Sequence, residues 1–564
     1  MTQDSSGANF SVGYSSTADS SVAGSDAALR DATGGAAPHC SDWFLTSHER
    51  GNPNTSIDLH HADEAWTSGN LVATLSHGRH YFARLHEVLQ QTRPNDLVLF
   101  TDWRGDADER LDGPGTEVAD VLAAIASRGV LVRGLLWRSH PDRTGFNERE
   151  NRGLAMMIDA AGGVVSLDER VRRAGSHHQK LFVILHPDQP RADVAFVGGI
   201  DLCHGRNDDA EHLGDRQSVS IDPRFGATPA WHDMQVEVRG PAVDDLAETF
   251  RERWNDRHPL TRSNWHRRSR SLRPGPPQIE SRAVDRGAAP SGPHHVQVLR
   301  TYPAKRPPYP FAQHGERSIA RAYLKALRRA RRLIYIEDQY FWSRDMSRAL
   351  VQALREQPLL KIVVVVPKFP DEDGRLSGPP NRIGQIAAIR GLREFGGHRF
   401  AIYDLEKDRL PIYVHAKICI IDDVWMTVGS DNLNRRSWTH DSELSCAVLD
   451  STLDLRQPDD PGGLGDGARL LARATRLALW AEHLEANDDL PVDLDEGFAL
   501  LRASAEILDR WHATGRTVPR PTGRLRQHIT QPVGPYESLP ARLMYHLVND
   551  PDGRPIRKRI SRTY

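Results

Sequence analysis

The sequence repeats itself at a long period, and this repeat constrains the fold more than any other feature. In each half a predicted helix is followed by an apolar strand with an acidic tip, and these tips, Asp102 and Asp338, lie 236 residues apart. Each half continues with a second helix, a second strand and a His-x-Lys sequence, which begins at His178 and, 237 residues later, at His415. Because order and offset agree, the chain is predicted to contain two copies of one unit.

Helices and strands alternate within each copy, which predicts α/β architecture. The predicted helices and strands are 81–89, 97–103, 118–127 and 130–137 in the first copy, and 319–327, 333–339, 346–355 and 359–366 in the second. Five regions follow from this pattern: a disordered N-terminal segment 1–45, a first catalytic unit 46–256, a linker 257–293, a second unit 294–490, and a C-terminal helix with a basic tail 491–564. A basic tail can rest on an anionic membrane, but it is more often a solvated surface.

Composition excludes several classes of protein. The net charge of −2 over 564 residues argues against a nucleic-acid partner, since phosphate binding usually requires a basic excess. No apolar stretch is long enough to span a bilayer, and no signal peptide is recognisable. We therefore expect a monomer in the cytoplasm or at a membrane surface, although export by a signal-independent route would leave the same sequence.

The two His-x-Lys sequences are the main candidates for catalysis. Residues i and i+2 of a strand point to the same face, so His178 is expected beside Lys180, and His415 beside Lys417. One neutral imidazole can attack phosphorus, while the other donates a proton to the leaving alcohol. One such sequence alone usually has no function, but two copies in duplicated contexts favour catalysis on a phosphodiester.

Small and polar residues follow a second strand in each half and are predicted to line the same pocket. They form the pairs Gly199 and Asp201 in the first half, and Ser430 and Asn432 in the second. Together with the lysines and Gln339, they are candidates for binding the non-bridging phosphate oxygens, where charge builds in the transition state. The protein itself supplies positive charge, so the expected reaction needs no cofactor and no metal.

Metal motifs are not recognisable from spacing. The pairs His60–His61 and His294–His295 lack spaced partner ligands, and the acidic residues between 106 and 112 do not fit a calcium loop. The four cysteines have no metal-ligand spacing. No metal site is therefore predicted.

The motifs resemble the phospholipase D superfamily, whose signature is His-x-Lys-x4-Asp in two copies. The second copy is complete, with Asp422 as its last residue, whereas the first has Leu185 at that position. Asp188 is the nearby candidate to replace it. Segments similar to the eukaryotic-type branch are 177–180, 196–202, 231–234, 250–255, 334–341, 441–443 and 479–484, so the resemblance covers roughly residues 70 to 490.

The resemblance implies a phospholipase D fold, in which two α/β/α sandwich units are related by a pseudo-two-fold axis with the active site at their interface. The residues that it implies for catalysis are His178, Lys180, His415, Lys417, Asp422, Asp233 and Glu443. It makes His178 the nucleophile and His415 the acid and base, with Asp422 a structural support. Asp233 and Glu443 would orient the two rings, but the sequence does not assign each carboxylate to a ring.

The leading hypothesis is hydrolysis of a phosphatidylcholine-like glycerophospholipid at a membrane surface, giving phosphatidic acid and the headgroup alcohol. An alcohol in place of water would give transphosphatidylation. The alternatives are a phosphatidyltransferase of the cardiolipin synthase kind, a nuclease of the same superfamily, and a non-catalytic lipid-binding relic.

Overall fold

The structure is a computed structural model of the chain, and it describes residues 39–57, 64–139, 148–217, 221–261, 277–280, 288–371, 378–487 and 489–564, with residues 535–538 described by their backbone alone. Most of the predicted N-terminal segment and much of the linker, together with His60–His61, lie outside these residues. Residues 40–45, which the sequence assigns to the disordered segment, instead begin with a short helix. The side chains of 43–45 are buried against the second half.

The first half forms a mixed sheet of seven strands. Its strands, with one short extra strand, are β1 (Thr67–Ser76), β2 (Leu97–Asp102), β3 (Leu131–Trp137), β4 (Val164–Asp168), β5 (Leu181–Leu185), β6 (Val194–Gly198), β7 (Trp231–His232) and β8 (Met234–Arg239). The order across the sheet is β4-β3-β2-β5-β6-β8-β1. Strands β2, β3 and β4 are parallel, and the remaining pairings are antiparallel.

The second half repeats this topology. Its strands are β9 (His294–Tyr302), β10 (Glu316–Arg317), β11 (Leu333–Glu337), β12 (Lys361–Val365), β13 (Phe400–Lys407), β14 (Leu410–Val414), β15 (Ile418–Ile421), β16 (Trp425–Gly429), β17 (Glu443–Asp450) and β18 (Leu525–Gln527). The order β13-β12-β11-β15-β16-β17-β9 has the same succession of parallel and antiparallel pairs as the first sheet. The predicted duplication of an α/β unit is therefore confirmed.

Helices cover both faces of each sheet. They are α1 (Cys40–Trp43), α2 (Ser47–Arg50), α3 (Gly78–Gln90), α4 (Val118–Ser127), α5 (Glu148–Ala160), α6 (Ala242–Trp254), α7 (Ser318–Arg329), α8 (Arg344–Glu356), α9 (Gly378–Gly396), α10 (Arg435–Thr439), α11 (Leu470–Leu484), α12 (Leu494–Ala513), α13 (Pro535–Met544) and α14 (Ile556–Ser561). Helices α3, α4 and α5 pack on the outer face of the first sheet, and α7 and α8 on that of the second.

The largest apolar core lies between the two sheets and joins the two halves. It combines inward-facing strand residues of both sheets with side chains of α6, α11 and α12. Strands β1 and β9 also pair at the sheet edges, with Thr67 opposite Val296. Within the described residues, no helix has both the length and the apolar character that crossing a membrane requires.

Candidate active site

The two His-x-Lys sequences occupy the extended segments immediately before β5 and β15, and not the strands themselves as the sequence predicted. Each lysine nevertheless turns back toward its histidine. The Nζ atom of Lys180 donates to the carbonyl of His178 at 2.9 Å, and Lys417 makes the same contact with the carbonyl of His415. Each ammonium therefore lies against the backbone of its own histidine, and each His-x-Lys sequence ends one residue before the regular strand begins.

Each of the two imidazole rings contacts a carboxylate from the other half of the molecule. Nδ1 of His178 lies 2.9 Å from Oε2 of Glu443, which begins β17 of the second sheet. Nδ1 of His415 lies 2.7 Å from Oδ2 of Asp233, which immediately precedes β8 of the first sheet. The sequence did not assign the two carboxylates to the two rings. In the structure each ring contacts the carboxylate of the other half, a crossed pairing that places the site at the interface between the units.

Backbone pairing explains the crossing. The N–H of His178 donates to the carbonyl of Ser442 at 2.9 Å, and the N–H of His415 donates to the carbonyl of His232 at 2.7 Å. In each case the accepting residue directly precedes the carboxylate that contacts the ring. An equivalent main-chain hydrogen bond in each half therefore brings the ring next to the carboxylate of the other half.

Glycine at position 199 allows Asp233 to approach. A Cβ atom on Gly199 would lie 2.2 Å from Oδ1 of Asp233, so a larger residue would displace the carboxylate. Oδ1 accepts the N–H of Met234 at 2.8 Å, and Oδ2 faces Nε1 of Trp231 at 3.3 Å. Gly199, predicted as a pocket residue, therefore acts on the carboxylate behind His415.

Ser430 has the corresponding place in the second half. Its hydroxyl donates to Oε2 of Glu443 at 2.6 Å and accepts the N–H of Leu444 at 3.1 Å. Ser430 thus holds the carboxylate behind His178, and its side chain is engaged with protein groups.

The remaining predicted pocket residues surround the lysines. Lys180 lies 3.6 Å from Oδ1 of Asp201, and Lys417 lies 3.3 Å from Oε1 of Gln339. The Oδ1 atom of Asn432 is buried and has no hydrogen-bond partner within the described part of the chain, which leaves an acceptor available to a donor group.

Burial and charge set the protonation of the two rings. Burial, reinforced by the neighbouring lysines, holds the pKa values of His178 and His415 well below their usual range, so both rings are neutral. The charge of Lys417 also contributes to the lowering of the pKa of His178. Burial lowers the pKa of Lys417 itself to about 8.

The two carboxylates differ in charge state. Burial opposes ionisation of Asp233, but its contacts with His415, the charge of Lys417 and the N–H of Met234 together outweigh burial and hold its pKa below the usual range. Burial instead raises the pKa of Glu443 to about 7, although the bond from Ser430 partly offsets this effect. The site therefore joins a firmly ionised carboxylate on one ring to a carboxylate that titrates near neutrality on the other.

Aromatic and basic side chains near the rings had no predicted role. The centre of the Trp231 ring lies 5.0 Å from that of the His415 ring. The guanidinium of Arg206 lies 3.9 Å from the centre of the same Trp231 ring. The Trp103 ring lies 6.3 Å from that of His178. Trp103 directly follows Asp102, the acidic tip of β2, and this position is the sequence signal that could have identified Trp103 as a residue near the site. The His178 side chain is 16% exposed, so a ligand can reach it from solvent.

Asp422 lies away from the rings, at the opposite end of β15 from His415. Its carboxylate accepts the backbone N–H groups of Arg331, Arg332 and Leu333 at 2.7–2.8 Å, which fixes the start of β11. This position suits the structural support that the resemblance implies for Asp422, and it does not bring the carboxylate to the two rings.

The first half closes the equivalent turn differently. Leu185 is buried opposite Leu97, and Asp188, the suggested substitute, is exposed. Nδ1 of His186 instead lies 2.8 Å from Asp96, which precedes β2. The missing aspartate is thus replaced by a histidine–aspartate pair, and not by Asp188.

Comparisons with known proteins agree with this geometry. Residues 160–363 and 401–514, together more than half of the chain, match the family described as Phospholipase D. Residues 323–456 also match the family described as Cardiolipin synthase, PLD-like domain.

Curated relatives include Phospholipase D alpha 1 of Cynara cardunculus, 27% identical over 512 residues, which cover 68% of this chain and 60% of that protein. Phospholipase D alpha 2 of Arabidopsis thaliana is 26% identical over 541 residues, covering 71% of this chain and 64% of the relative. The chain thus spans less than two thirds of their length. Among solved structures, the phosphatidylserine synthase of Haemophilus influenzae Rd KW20 has a TM-score of 0.47 and 12% identity, covering 69% of this chain and 84% of that one. On the family match, this chain belongs to the phospholipase D family.

Proposed function

We propose that the protein is a phosphodiesterase that cleaves glycerophospholipids by way of a covalent phosphohistidine. The observation that carries this proposal is the crossed pairing of two neutral imidazoles with carboxylates at Nδ1. A proton on Nδ1 that is donated to a carboxylate leaves Nε2 with a free lone pair, and this is the form that a nucleophile or a general base requires.

The two carboxylates support different roles for the two rings. An ionised carboxylate stabilises an imidazolium, and Asp233 is the one held ionised, so His415 suits the acid that donates to the leaving group. Both rings are neutral in the free protein, so His415 takes up its proton when the anionic phosphodiester binds. His178, which is the more exposed ring, suits the nucleophile.

The proposed reaction has two steps. Nε2 of His178 forms a bond to phosphorus while the bond from phosphorus to the headgroup oxygen breaks, and that oxygen takes the proton of His415. Neutral His415 then removes a proton from water, whose oxygen attacks phosphorus and displaces His178. A primary alcohol in place of water would give a phosphatidyl alcohol. Lys180, Lys417 and Asn432 stabilise the charge on the non-bridging oxygens.

A second candidate is transfer of a phosphatidyl group to a lipid alcohol. The match of residues 323–456 to the cardiolipin synthase description favours it. The two functions share the first step and differ only in the acceptor. The net charge of −2 disfavours the nuclease alternative.

We also propose that the C-terminal region contacts an anionic lipid surface. Between residues 539 and 560 several apolar and basic side chains are exposed, and we call these residues the apolar–basic surface: Leu539, Leu543, Leu547, Ile556 and Ile560 together with Arg542, Arg557 and Arg559. The five apolar side chains are between 60% and 78% exposed, which is unusual for a free surface but suits insertion among lipid headgroups.

This surface is connected to the active site. The carboxylate of Asp550 accepts the N–H of Arg436 at 3.0 Å, and the Arg436 guanidinium binds Asp441. Asp441 in turn accepts the N–H of Ser176 at 2.8 Å, two residues before His178. These contacts link the C-terminal region that carries the apolar–basic surface to the segment before His178.

The function is tested with purified protein and three substrates: phosphatidylcholine, phosphatidylglycerol and single-stranded DNA, each with and without a primary alcohol. Headgroup release with formation of a phosphatidyl alcohol is the expected result. Cardiolipin formation from phosphatidylglycerol without headgroup hydrolysis would favour the second candidate. Cleavage of DNA alone, or no turnover of any substrate by the folded protein, would refute the proposal.

The lipid surface is tested by sedimentation with vesicles of phosphatidylcholine containing phosphatidylglycerol. Replacing both Leu543 and Leu547 by Ser should weaken binding about tenfold or more, because two exposed leucines no longer enter the bilayer. Leu359→Ser is the control, since Leu359 is 63% exposed but precedes β12, outside the C-terminal region. Equal binding by all three proteins would exclude this surface.

A further inference from the structure

A buried cluster of three histidines and one glutamate lies directly behind Asp233. Nε2 of His77, Nε2 of His212 and Nδ1 of His232 lie 2.8, 3.1 and 2.9 Å from the carboxylate of Glu482. The three imidazoles are at most 4% exposed. His77, His212 and His232 belong to the first half, whereas Glu482 comes from α11, so the cluster draws together distant parts of the chain.

The arrangement of the rings is that of ligands around a single point. The centre of the His77 ring lies 5.0 Å from that of His212 and 5.0 Å from that of His232, and the third separation is 5.9 Å. Three imidazoles on one tetrahedral ion, with metal–nitrogen bonds of about 2.0 Å, would have ring centres about 5 Å apart. All four candidate ligand atoms also lie within 4.8 Å of one another.

Two of the histidines have the outer partners that metal-bound histidines use. Nε2 of His232 lies 2.7 Å from Glu337, and Nδ1 of His212 lies 3.5 Å from Asp208. A carboxylate on the far nitrogen fixes the ring and increases its basicity toward the ion.

We propose that His77, His212, His232 and Glu482 bind one zinc ion in a closed, structural site. Three imidazole nitrogens and a carboxylate oxygen are ligands that zinc accepts, and a set of four protein ligands is typical of structural zinc. Binding replaces the proton on each ligating nitrogen by the metal. Arg524 lies 4.0 Å from Glu482 and partly balances its negative charge. The proposal therefore rests on the geometry of the three rings and not on the charge of the cluster.

The site would position the acid side of the catalytic centre. The carbonyl of His232 accepts the N–H groups of His415 at 2.7 Å and Ala416 at 3.1 Å, and the N–H of His77 donates to the carbonyl of Asp233 at 2.8 Å. The backbones of two of the four proposed ligands, His77 and His232, are thus hydrogen-bonded to the backbones of Asp233 and His415. A bound ion would hold this pair in place without contacting the substrate.

The test is to equilibrate the full-length protein with zinc sulfate, remove unbound metal by gel filtration and count zinc by mass spectrometry. Wild type should retain about one ion per chain and melt at a higher temperature than chelator-treated protein. His212→Ala should lose both effects. Glu337→Gln should weaken zinc binding by about 10- to 100-fold through His232.

Two controls separate this site from others. His186→Ala removes a partly buried histidine that also pairs with an aspartate at 2.8 Å, and it should keep the ion. His178→Ala should keep it as well, since the catalytic rings are not ligands. If His212→Ala does not fold, cobalt-loaded wild type should show the intense visible absorption of a tetrahedral ion. Absence of bound zinc, loss of zinc in His178→Ala, or an octahedral cobalt spectrum would overturn the proposal.

Discussion

Nδ1 of His415 lies 2.7 Å from a carboxylate oxygen of Asp233, 182 residues earlier in the chain. The carboxylate is fully buried and remains ionised because it contacts this ring. Its two oxygens also face the N–H of Met234 and the indole N–H of Trp231. The Asp233 carboxylate is therefore surrounded by donors, which fixes both its own charge and the tautomer of His415.

Asp233→Asn should lower kcat by roughly 10³- to 10⁴-fold. An amide in this position either turns its NH2 group toward Nδ1 of His415, which favours the wrong tautomer of that ring, or turns it against the N–H of Met234, which displaces the side chain. Glu443→Gln should cost less, because His178 and Ser430 both bind the same oxygen, which an amide carbonyl can replace. Steady-state kinetics of the two variants, with folding checked by circular dichroism, decide the matter; an equal loss would contradict the proposed asymmetry.

His178→Ala and His415→Ala should fail at different steps. With a phosphatidyl ester of p-nitrophenol, a leaving group that needs no proton, His415→Ala should still release one equivalent of p-nitrophenol and accumulate the phosphohistidine. His178→Ala should release none. Mass spectrometry of the trapped protein locates the adduct, and an adduct on His415 would exchange the two roles.

The rate should rise with pH through about 7, where Glu443 loses its proton. Nδ1 of His178 faces both Oε2 of Glu443 and the backbone carbonyl of Ser430, which can only accept, so this nitrogen keeps its proton and Nε2 stays free. Ionised Glu443 stabilises the positive charge that the ring gains as Nε2 attacks, whereas protonated Glu443 does not. Glu443→Gln cannot ionise, so its pH profile of kcat/KM should be flatter in this range. A profile identical to that of wild type would assign the ionisation to another group.

Gly199→Ala should lower kcat by about 10²-fold, because its methyl group would occupy the place of the Asp233 carboxylate and displace it by a substantial fraction of an ångström. Gly153→Ala is the matched control, since a Cβ atom at that helical position meets no atom within 4 Å. The control should retain full activity and gain up to about 1 kcal/mol of unfolding free energy. Full activity in Gly199→Ala would show that Asp233 tolerates displacement.

Asp422→Ala should lower the free energy of unfolding by about 2–5 kcal/mol, since three backbone N–H groups lose their acceptor. The kcat of the folded protein should change little. Leu185→Asp should also destabilise by about 3–5 kcal/mol, because a carboxylate would be buried where His186 and Asp96 already close the turn. Urea unfolding measures both, and a stabilised Leu185→Asp would refute this account of the first half.

Local patterns predicted most of the fold. Apolar strands and helices with regular spacing are properties of a few adjacent residues, so the duplicated topology agrees closely with the sequence, and the predicted C-terminal helix is present at 494–513. Residues 40–45 escaped prediction because the apolar residues at 43–45 bury themselves only against the second half.

The sequence identified which residues belong to the site, but not which of them contact one another. The crossing of Glu443 to His178 joins positions 265 residues apart, and nothing in either segment encodes which ring is the partner. The histidine cluster was missed for the same reason, because its ligands at 77, 212, 232 and 482 have no motif spacing. Such contacts depend on how the two sheets dock, which local sequence does not specify.

Because each ring is oriented by a carboxylate of the other unit, catalysis requires that the two units stay associated, but not that the chain between them is intact. A protease that nicks the connection between the two units would leave both rings oriented, provided that the nicked fragments stay together. Physical separation of the fragments would disable nucleophile and acid simultaneously, and remixing them should restore both through complementation.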